Sequence, residues 1–126
     1  MDIFENKNNL LAGSGVPESI IMEAESMLSL DFSDEYRAYL QQYGIAAYNG
    51  HELTGITLSP RLDVVAVTLL ERNNSVDIPN NLYVIEKANF ENIIVWQNSN
   101  GEIFFSGPNQ PITHYCDSLN EYLNDH

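Results

Sequence analysis

Basic residues are scarce in this chain of 126 residues, and so is cysteine. Lysine and arginine together number 5, against 18 aspartates and glutamates, which gives a formal net charge of −13. Because phosphate contacts need clustered basic side chains, this balance argues against direct binding of nucleic acid. An acidic surface would attract a basic protein partner. The alternative is that the acidic residues only keep the protein soluble. The basic residues are Lys7, Arg37, Arg61, Arg72 and Lys87.

The single cysteine, Cys116, has no partner for an internal disulfide, so the fold is not a disulfide scaffold. His114 is the only evident base beside it, and we expect a buried structural thiol rather than a nucleophile. The first residues lack a basic stretch followed by an apolar core, and no apolar run is long enough to span a membrane. We therefore expect no signal peptide, no membrane partner and a cytoplasmic location.

Known catalytic and cofactor motifs are also missing. The chain has no phosphate-binding glycine loop, no cysteine pair and no H-E-x-x-H motif. His51, His114 and His126 are scattered, and we expect surface or hydrogen-bonded roles for them. His51 and Glu52 are adjacent in a predicted strand, where neighbouring side chains point to opposite faces and cannot converge on one substrate. The sequence predicts no enzyme, no cofactor and no metal site.

The length and the apolar content of 44% predict a single domain over residues 1–126. Residues 1–15 are polar and glycine-containing, and we expect a flexible segment there, although Ile3, Phe4, Leu10 and Leu11 could build a short helical turn. Pro17 suits a first helical position and predicts a helix over 17–28. Its predicted buried face consists of Ile20, Ala24, Met27 and Leu28.

Residues 33–44 carry the signals of a complete second helix, predicted over 34–43. Ser33 can accept hydrogen bonds from free amides of the first turn, and Asp34 and Glu35 place negative charge at the positive end of the helix dipole. Gly44 can adopt the left-handed conformation that ends a helix. One stripe, assigned to the core rather than to a binding surface, consists of Tyr36, Tyr39, Leu40 and Tyr43.

The rest of the chain predicts strands over 52–58, 82–86, 93–97 and 102–105, with a hairpin turn at 98–101 and a loop over 106–111. Residues 63–72 are ambiguous: their valines favour a strand, but Asp63 can cap a helix and the apolar spacing favours one, which we prefer. The apolar positions of that segment are Leu62, Val65, Ala66 and Leu69. Ser118 and Glu121 have capping-box spacing and begin a terminal helix that buries Leu119, Tyr122 and Leu123. The order of elements predicts an α+β domain with an antiparallel sheet.

Two short motifs and their order resemble the SUKH superfamily, the Smi/Knr-type domain. Glu25 and Leu28 form an E-x-x-L motif, residues 36–44 read Y-R-x-Y-L-x-x-x-G, and the glycine-bounded stretch 50–55 follows at the first predicted strand. The resemblance covers about residues 17–125. It implies helices packed on a curved antiparallel sheet with a C-terminal helix, and it implies the function of a bacterial immunity protein that neutralises a toxin.

We therefore expect a non-enzymatic protein that occludes a basic toxin, most plausibly a nuclease domain. The alternative is a regulatory or scaffold module of the same superfamily. The predicted partner-binding residues are Glu52, Glu86 and Trp96, with Glu71 and Asp77 as rim candidates. We expect the glutamates at sheet edges or on a solvated face, with Trp96 as an anchor between them. The open alternative is a fully buried Trp96 with ordinary surface glutamates.

Overall fold

A computed structural model describes residues 10–74, 77–88, 91–108 and 110–124. In chain order the elements are β1 (Leu10–Ala12), α1 (Glu18–Leu28), α2 (Asp34–Gln42), β2 (Ala46–Tyr48), β3 (His51–Glu52), α3 (Val64–Asn74), β4 (Tyr83–Lys87), β5 (Ile94–Gln97), β6 (Ile103–Gly107), β7 (Gln110–Cys116) and α4 (Leu119–Asn124). None of the helices in these ranges is long and apolar enough to cross a membrane.

The strands form two antiparallel sheets with the orders β1-β2-β3 and β4-β5-β6-β7. An isolated antiparallel bridge between Leu53 and Glu86 connects the first sheet to β4 of the second. The predicted α+β class, with helices on antiparallel strands and a C-terminal helix, is therefore confirmed.

Strands β4 and β5 of the second sheet are buried on both faces, and their successive side chains alternate between the two faces. Tyr83 and Ile85 of β4 join the larger core, which contains residues of α1, α2 and α4. Val84 of the same strand joins a smaller cluster with Trp96 of β5 and Val67 of α3. The sheet thus separates the main core from a smaller core that α3 covers.

The stripe of α2 lies in the main core, as predicted. Tyr36 and Tyr39 are buried, and the Tyr39 hydroxyl donates to the Thr54 carbonyl at 2.8 Å. Tyr36 Oη and Thr54 Oγ1 are 2.8 Å apart. Burial raises the pKa of both phenols, because it disfavours the charged phenolate. Each ring therefore packs as an apolar group while its hydroxyl is satisfied inside the protein.

Several helix signals of the sequence are confirmed. The side chain of Ser33 accepts a hydrogen bond from the Tyr36 amide at 3.1 Å, and Gly44 has φ +73° at the end of α2. The ambiguous segment is a helix, α3, and Asp63 Oδ2 accepts from the Ala66 amide at 3.2 Å. Cys116 is buried, as expected.

The predicted buried face of α1 needs correction, and the apolar spacing of residues 62–69 does not mark the buried face of α3. In α1 the fully buried isoleucine is Ile21, whereas Ile20 is exposed and Met27 is 60% exposed. In α3, Leu69 is exposed although it shares that spacing, and the buried positions are Val64, Val65, Val67, Thr68 and Glu71. Apolar residues lie on more than one face of each helix, so their spacing alone does not show which face is buried.

The predicted strands are also incomplete. Of the predicted strand over 52–58, only Glu52 lies in a strand, β3, while Leu53 and Gly55 form isolated bridges and Leu58 is fully exposed. Leu10 and Leu11 lie in β1, not in a helical turn, and residues 1–9 of the predicted flexible segment lie outside the described residues. The predicted loop over 106–111 contains the end of β6 and the start of β7, a strand that the sequence did not predict.

Candidate partner-binding surfaces

The four basic side chains in the described residues are all engaged within the protein. Arg37 forms ion pairs with Glu18 and Glu25. Arg61 pairs with Glu52 and Lys87 pairs with Glu71, both at 3.1 Å, and Arg72 donates to the Asn80 carbonyl at 2.7 Å. The exposed carboxylates without an ion pair to one of these four side chains are Glu23, Asp31, Asp34, Asp77, Glu91, Asp117 and Glu121. The described surface therefore carries excess negative charge.

Part of this charge gathers where three elements meet. The Glu35 carboxylate at the start of α2 accepts hydrogen bonds from the amides of Leu119 at 2.5 Å and Asn120 at 3.3 Å, which are the first two residues of α4. Gln97 Nε2 donates to Glu35 Oε1 at 2.8 Å and to the Gly101 carbonyl at 3.0 Å, in the turn between β5 and β6. We call the resulting surface the acidic edge; it consists of Asp34, Glu35, Glu102, Asp117 and Glu121.

One histidine lies within the acidic edge. His114 Nε2 is 2.9 Å from Asp117 Oδ1 and 3.9 Å from Glu102 Oε2. These three side chains are the group within the described residues whose geometry could hold a metal ion, with ligand atoms within 4.8 Å of one another. His114 contacts both carboxylates, and the three side chains are 42–79% exposed.

A cleft of about 570 Å³ lies beside α3 at the other end of the second sheet. It lies between the C-terminal half of α3, the end of β4, the start of β5 and the loop between β6 and β7. Glu71 and Lys87 face each other in its lining. Its apolar lining consists of Ile78, Ala88, Ile93, Ile94, Pro108, Pro111 and Ile112, and its polar lining includes Asn74, Asn92, Ser106 and Gln110. The volume is in the range of small-ligand and side-chain pockets.

A third group of polar side chains is buried where the two sheets join. Glu86 Oε1 accepts a hydrogen bond from the Tyr122 hydroxyl at 2.5 Å and lies 2.8 Å from His51 Nδ1, and Glu86 Oε2 accepts from the Glu52 amide at 3.0 Å. Burial raises the pKa of Tyr122, and the negative charge of Glu86 raises it further. Because both Glu86 oxygens accept bonds, this carboxylate ties β3, β4 and α4 together.

The structure does not bring the five predicted partner-binding residues into one surface. Glu52 and Asp77 are exposed, and Glu71 lines the cleft. Glu86 is 3% exposed, so its expected solvated position is wrong: its hydrogen-bond partners lie on β3 and α4, which cover it. Trp96 is fully buried, as the open alternative had it, and donates from Nε1 to Ser106 Oγ at 2.9 Å below the cleft.

Sequence reasoning missed both the acidic edge and the cleft. The signals for the parts of the acidic edge were present, because the caps of α2 and α4 and the turn before β6 were all predicted. Their proximity was not readable, since Glu35 and Leu119 are 84 residues apart. The cleft was missed because β7, which supplies one wall, was predicted in part as a loop.

Two comparisons with known proteins complete the description. No curated protein sequence matches the chain. A family model described as SUKH_6, SMI1-KNR4 cell-wall, matches residues 18–123. Members of this family are generally non-enzymatic immunity or interaction modules, which is consistent with an immunity-like function here. Because the match extends from the start of α1 to α4, the chain belongs to the SUKH superfamily, in its SMI1-KNR4 family.

Proposed function

We propose that this protein is an immunity protein that binds a basic toxin domain, most plausibly a nuclease, and neutralises it by occlusion. The main support is the charge of the described surface, which is mostly negative. The described basic side chains are engaged within the protein, and exposed carboxylates that do not pair with them are in excess. Nuclease active sites are basic because they hold phosphates. An acidic protein can present carboxylates where the toxin would otherwise hold its substrate.

The acidic edge is the surface that this proposal places against the toxin. Its carboxylates come from the start of α2, the start of α4 and the turn before β6, so they are presented by ordered backbone. Rigid presentation lowers the entropic cost of association. Exposed Glu52 remains a candidate contact, and Asp77 and Glu71 remain candidate rim residues. Buried Glu86 would act only by tying β3, β4 and α4 together, and buried Trp96 by supporting the wall of the cleft. A cytoplasmic location, where a self-produced toxin would be met, is part of the proposal.

Coexpression tests the proposal. The toxic domain encoded beside this protein would be expressed alone and together with it, and we expect growth to be restored only in the second case. A variant with Asp34 and Glu121 changed to Lys should lose rescue. The matched control changes Glu23 and Asp31 to Lys, which shifts the net charge equally at exposed positions outside the acidic edge and outside the cleft. Folding of both variants is checked first by circular dichroism.

Two outcomes would reject the proposal. If the wild-type protein neither restores growth nor binds the product of a neighbouring gene, the immunity function is wrong. If it instead binds defined cellular signalling proteins and no toxin, the scaffold alternative is the better description. Equal loss of rescue in both charge-reversal variants would keep the immunity function but remove the acidic edge as the contact surface.

A further inference from the structure

The cleft beside α3 contains an ion pair whose two members differ in burial. The side chain of Glu71 is 11% exposed, whereas that of Lys87 is 47% exposed, and their charged atoms are 3.1 Å apart. Glu71 is fixed on a packed helix next to Val67 and Thr68, both buried. The carboxylate is therefore the fixed member of the pair, and the ammonium on its flexible stem is the one that can move away.

This difference in burial favours a cation over an anion as a ligand of the cleft. A ligand cation that replaces Lys87 at Glu71 leaves the ammonium in water, where it is well hydrated. A ligand anion that took Lys87 would leave Glu71 buried without a counter-charge, which is strongly unfavourable. Exposed Asp77 and Glu91 are chain neighbours of the lining residues Ile78 and Asn92 and add negative potential near the cleft.

We propose that the cleft is a receptor for an arginine side chain of the basic partner, with the guanidinium paired to Glu71. This inference rests on the proposed function, because it names a contact within the same partner complex. Arginine fits better than lysine, since a planar guanidinium can bind a carboxylate through two parallel hydrogen bonds.

The remaining lining matches the other parts of an arginine side chain. Ile78, Ile94 and Ile112 offer apolar surface for the aliphatic stem. Asn74 and Gln110 carry amide oxygens that can accept from the guanidinium N–H groups that do not face Glu71. Ser106 is held in place from below by the Trp96 indole N–H, so Trp96 supports the wall of the cleft without touching a ligand.

A direct test uses a blocked peptide, acetyl-Gly-Arg-Gly-amide, titrated into the isotopically labelled wild-type protein and followed by amide chemical shifts. We expect saturable shifts confined to amides of the cleft lining, including residues 71, 87, 94 and 112. The same peptide with citrulline, which has the arginine shape but no charge, is expected to give none. Shifts elsewhere only, or equal shifts with citrulline, would overturn the proposal without any variant.

Matched variants distinguish a direct contact of arginine with Glu71 from a general effect of the protein's net charge. Glu71→Gln should weaken arginine-peptide binding about tenfold, which corresponds to about 1.4 kcal/mol. Glu23→Gln makes the same change of charge on α1 and should leave binding within about twofold of wild type. Lys87→Met should strengthen binding because it removes the competing ammonium, whereas Arg61→Met, an equal change of charge beside Glu52, should not. Equal effects within each pair would overturn the proposal.

Two outcomes distinguish the arginine receptor from the immunity function. If Glu71→Gln restores growth beside the toxin and binds it as tightly as wild type does, the arginine receptor is wrong and the immunity function stands. If the peptide binds as described and no toxin is neutralised, the receptor stands and its partner is a different basic protein.

Discussion

At the scale of single residues, two glycines with positive φ allow backbone strain to be separated from steric clash. Gly44 has φ +73°, and an added Cβ would lie 2.5 Å from the Ser14 carbonyl oxygen, whereas Gly50 has φ +87° and no atom within 4 Å. Gly44→Ala should therefore lower the free energy of unfolding by clearly more than the about 1–2 kcal/mol expected for the left-handed conformation alone. Gly50→Ala should cost only that strain. Chemical denaturation of both variants measures the difference, and equal losses would contradict the close approach at Gly44.

The buried carboxylate of Glu86 gives a second prediction at this scale. Tyr122→Phe removes the hydroxyl that donates to it at 2.5 Å and should lower the free energy of unfolding by about 1.5–3 kcal/mol. The control is a double-mutant cycle with Glu86→Gln, in which the second substitution should cost less once the first is present. Additive losses would mean that the two side chains act independently.

Local signals were readable from the sequence because they depend on a few neighbouring residues. The cap at Ser33, the positive φ of Gly44 and the buried Cys116 all follow from residue type and immediate context. The bond between His51 and Glu86 spans 35 positions, and no local pattern contains it. For the same reason the solvated position expected for Glu86 was wrong: the covering residues come from β3 and α4.

At the scale of elements, β7 shows why one strand went unpredicted. Its seven residues are mostly exposed, and its pairing with β6 shifts register twice. Each shift breaks the alternation of apolar and polar residues that identifies a strand, and Pro111 adds a signal typical of loops. Edge strands are often irregular in this way because irregularity hinders pairing with other chains. The limits of α1 were predicted to within one residue, but its two isoleucines and two methionines did not show which face is buried.

The short helix α4 depends on a residue of α2. Glu35 accepts from the first two amides of α4, so Glu35→Ala should expose those amides and cost about 1–2 kcal/mol, comparable to the loss of an N-cap. Asp34→Ala is the matched control: it removes one charge from the same turn and should cost only about 0.3–1 kcal/mol through the helix dipole. Amide hydrogen exchange of residues 122–124 should quicken only in the Glu35 variant. Unchanged protection there would show that α4 is held by packing alone.

At the scale of the molecule, β5 links the two candidate surfaces. Its first residue, Ile94, lines the cleft, and its last, Gln97, bonds to Glu35 of the acidic edge. A four-residue strand is about 10 Å long, so one partner of ordinary size can contact both ends. The sequence indicated that the protein is acidic, because net charge follows from composition alone. It did not indicate the cleft or the acidic edge, because each combines residues that are distant in the sequence and meet only in the folded sheet.

The buried tyrosines predict how stability depends on alkaline pH. Burial raises the pKa of Tyr36, Tyr39, Tyr83 and Tyr122 above the usual value of about 10. The unfolded chain therefore loses these protons first. The stabilisation is complete below about pH 10 and is lost as pH rises towards the folded-state pKa values. Urea unfolding between pH 8 and 11, as approximate limits, should show a falling free energy only above about pH 10. A loss that begins near neutral pH would point to other groups.

The excess of carboxylates predicts the kinetics of partner capture. If the acidic edge steers a basic toxin, the association rate constant should fall about tenfold or more between about 0.05 M and about 0.5 M NaCl, because the screening length shortens below 10 Å. Dissociation should change less, since contacts already formed are only partly screened. Stopped-flow fluorescence measures both rates. The variant with Asp34 and Glu121 changed to Lys should show a slower association and a weaker salt dependence, whereas the variant with Glu23 and Asp31 changed to Lys should stay closer to wild type in both. An association rate that does not depend on salt would mean that the net charge of −13 serves solubility alone.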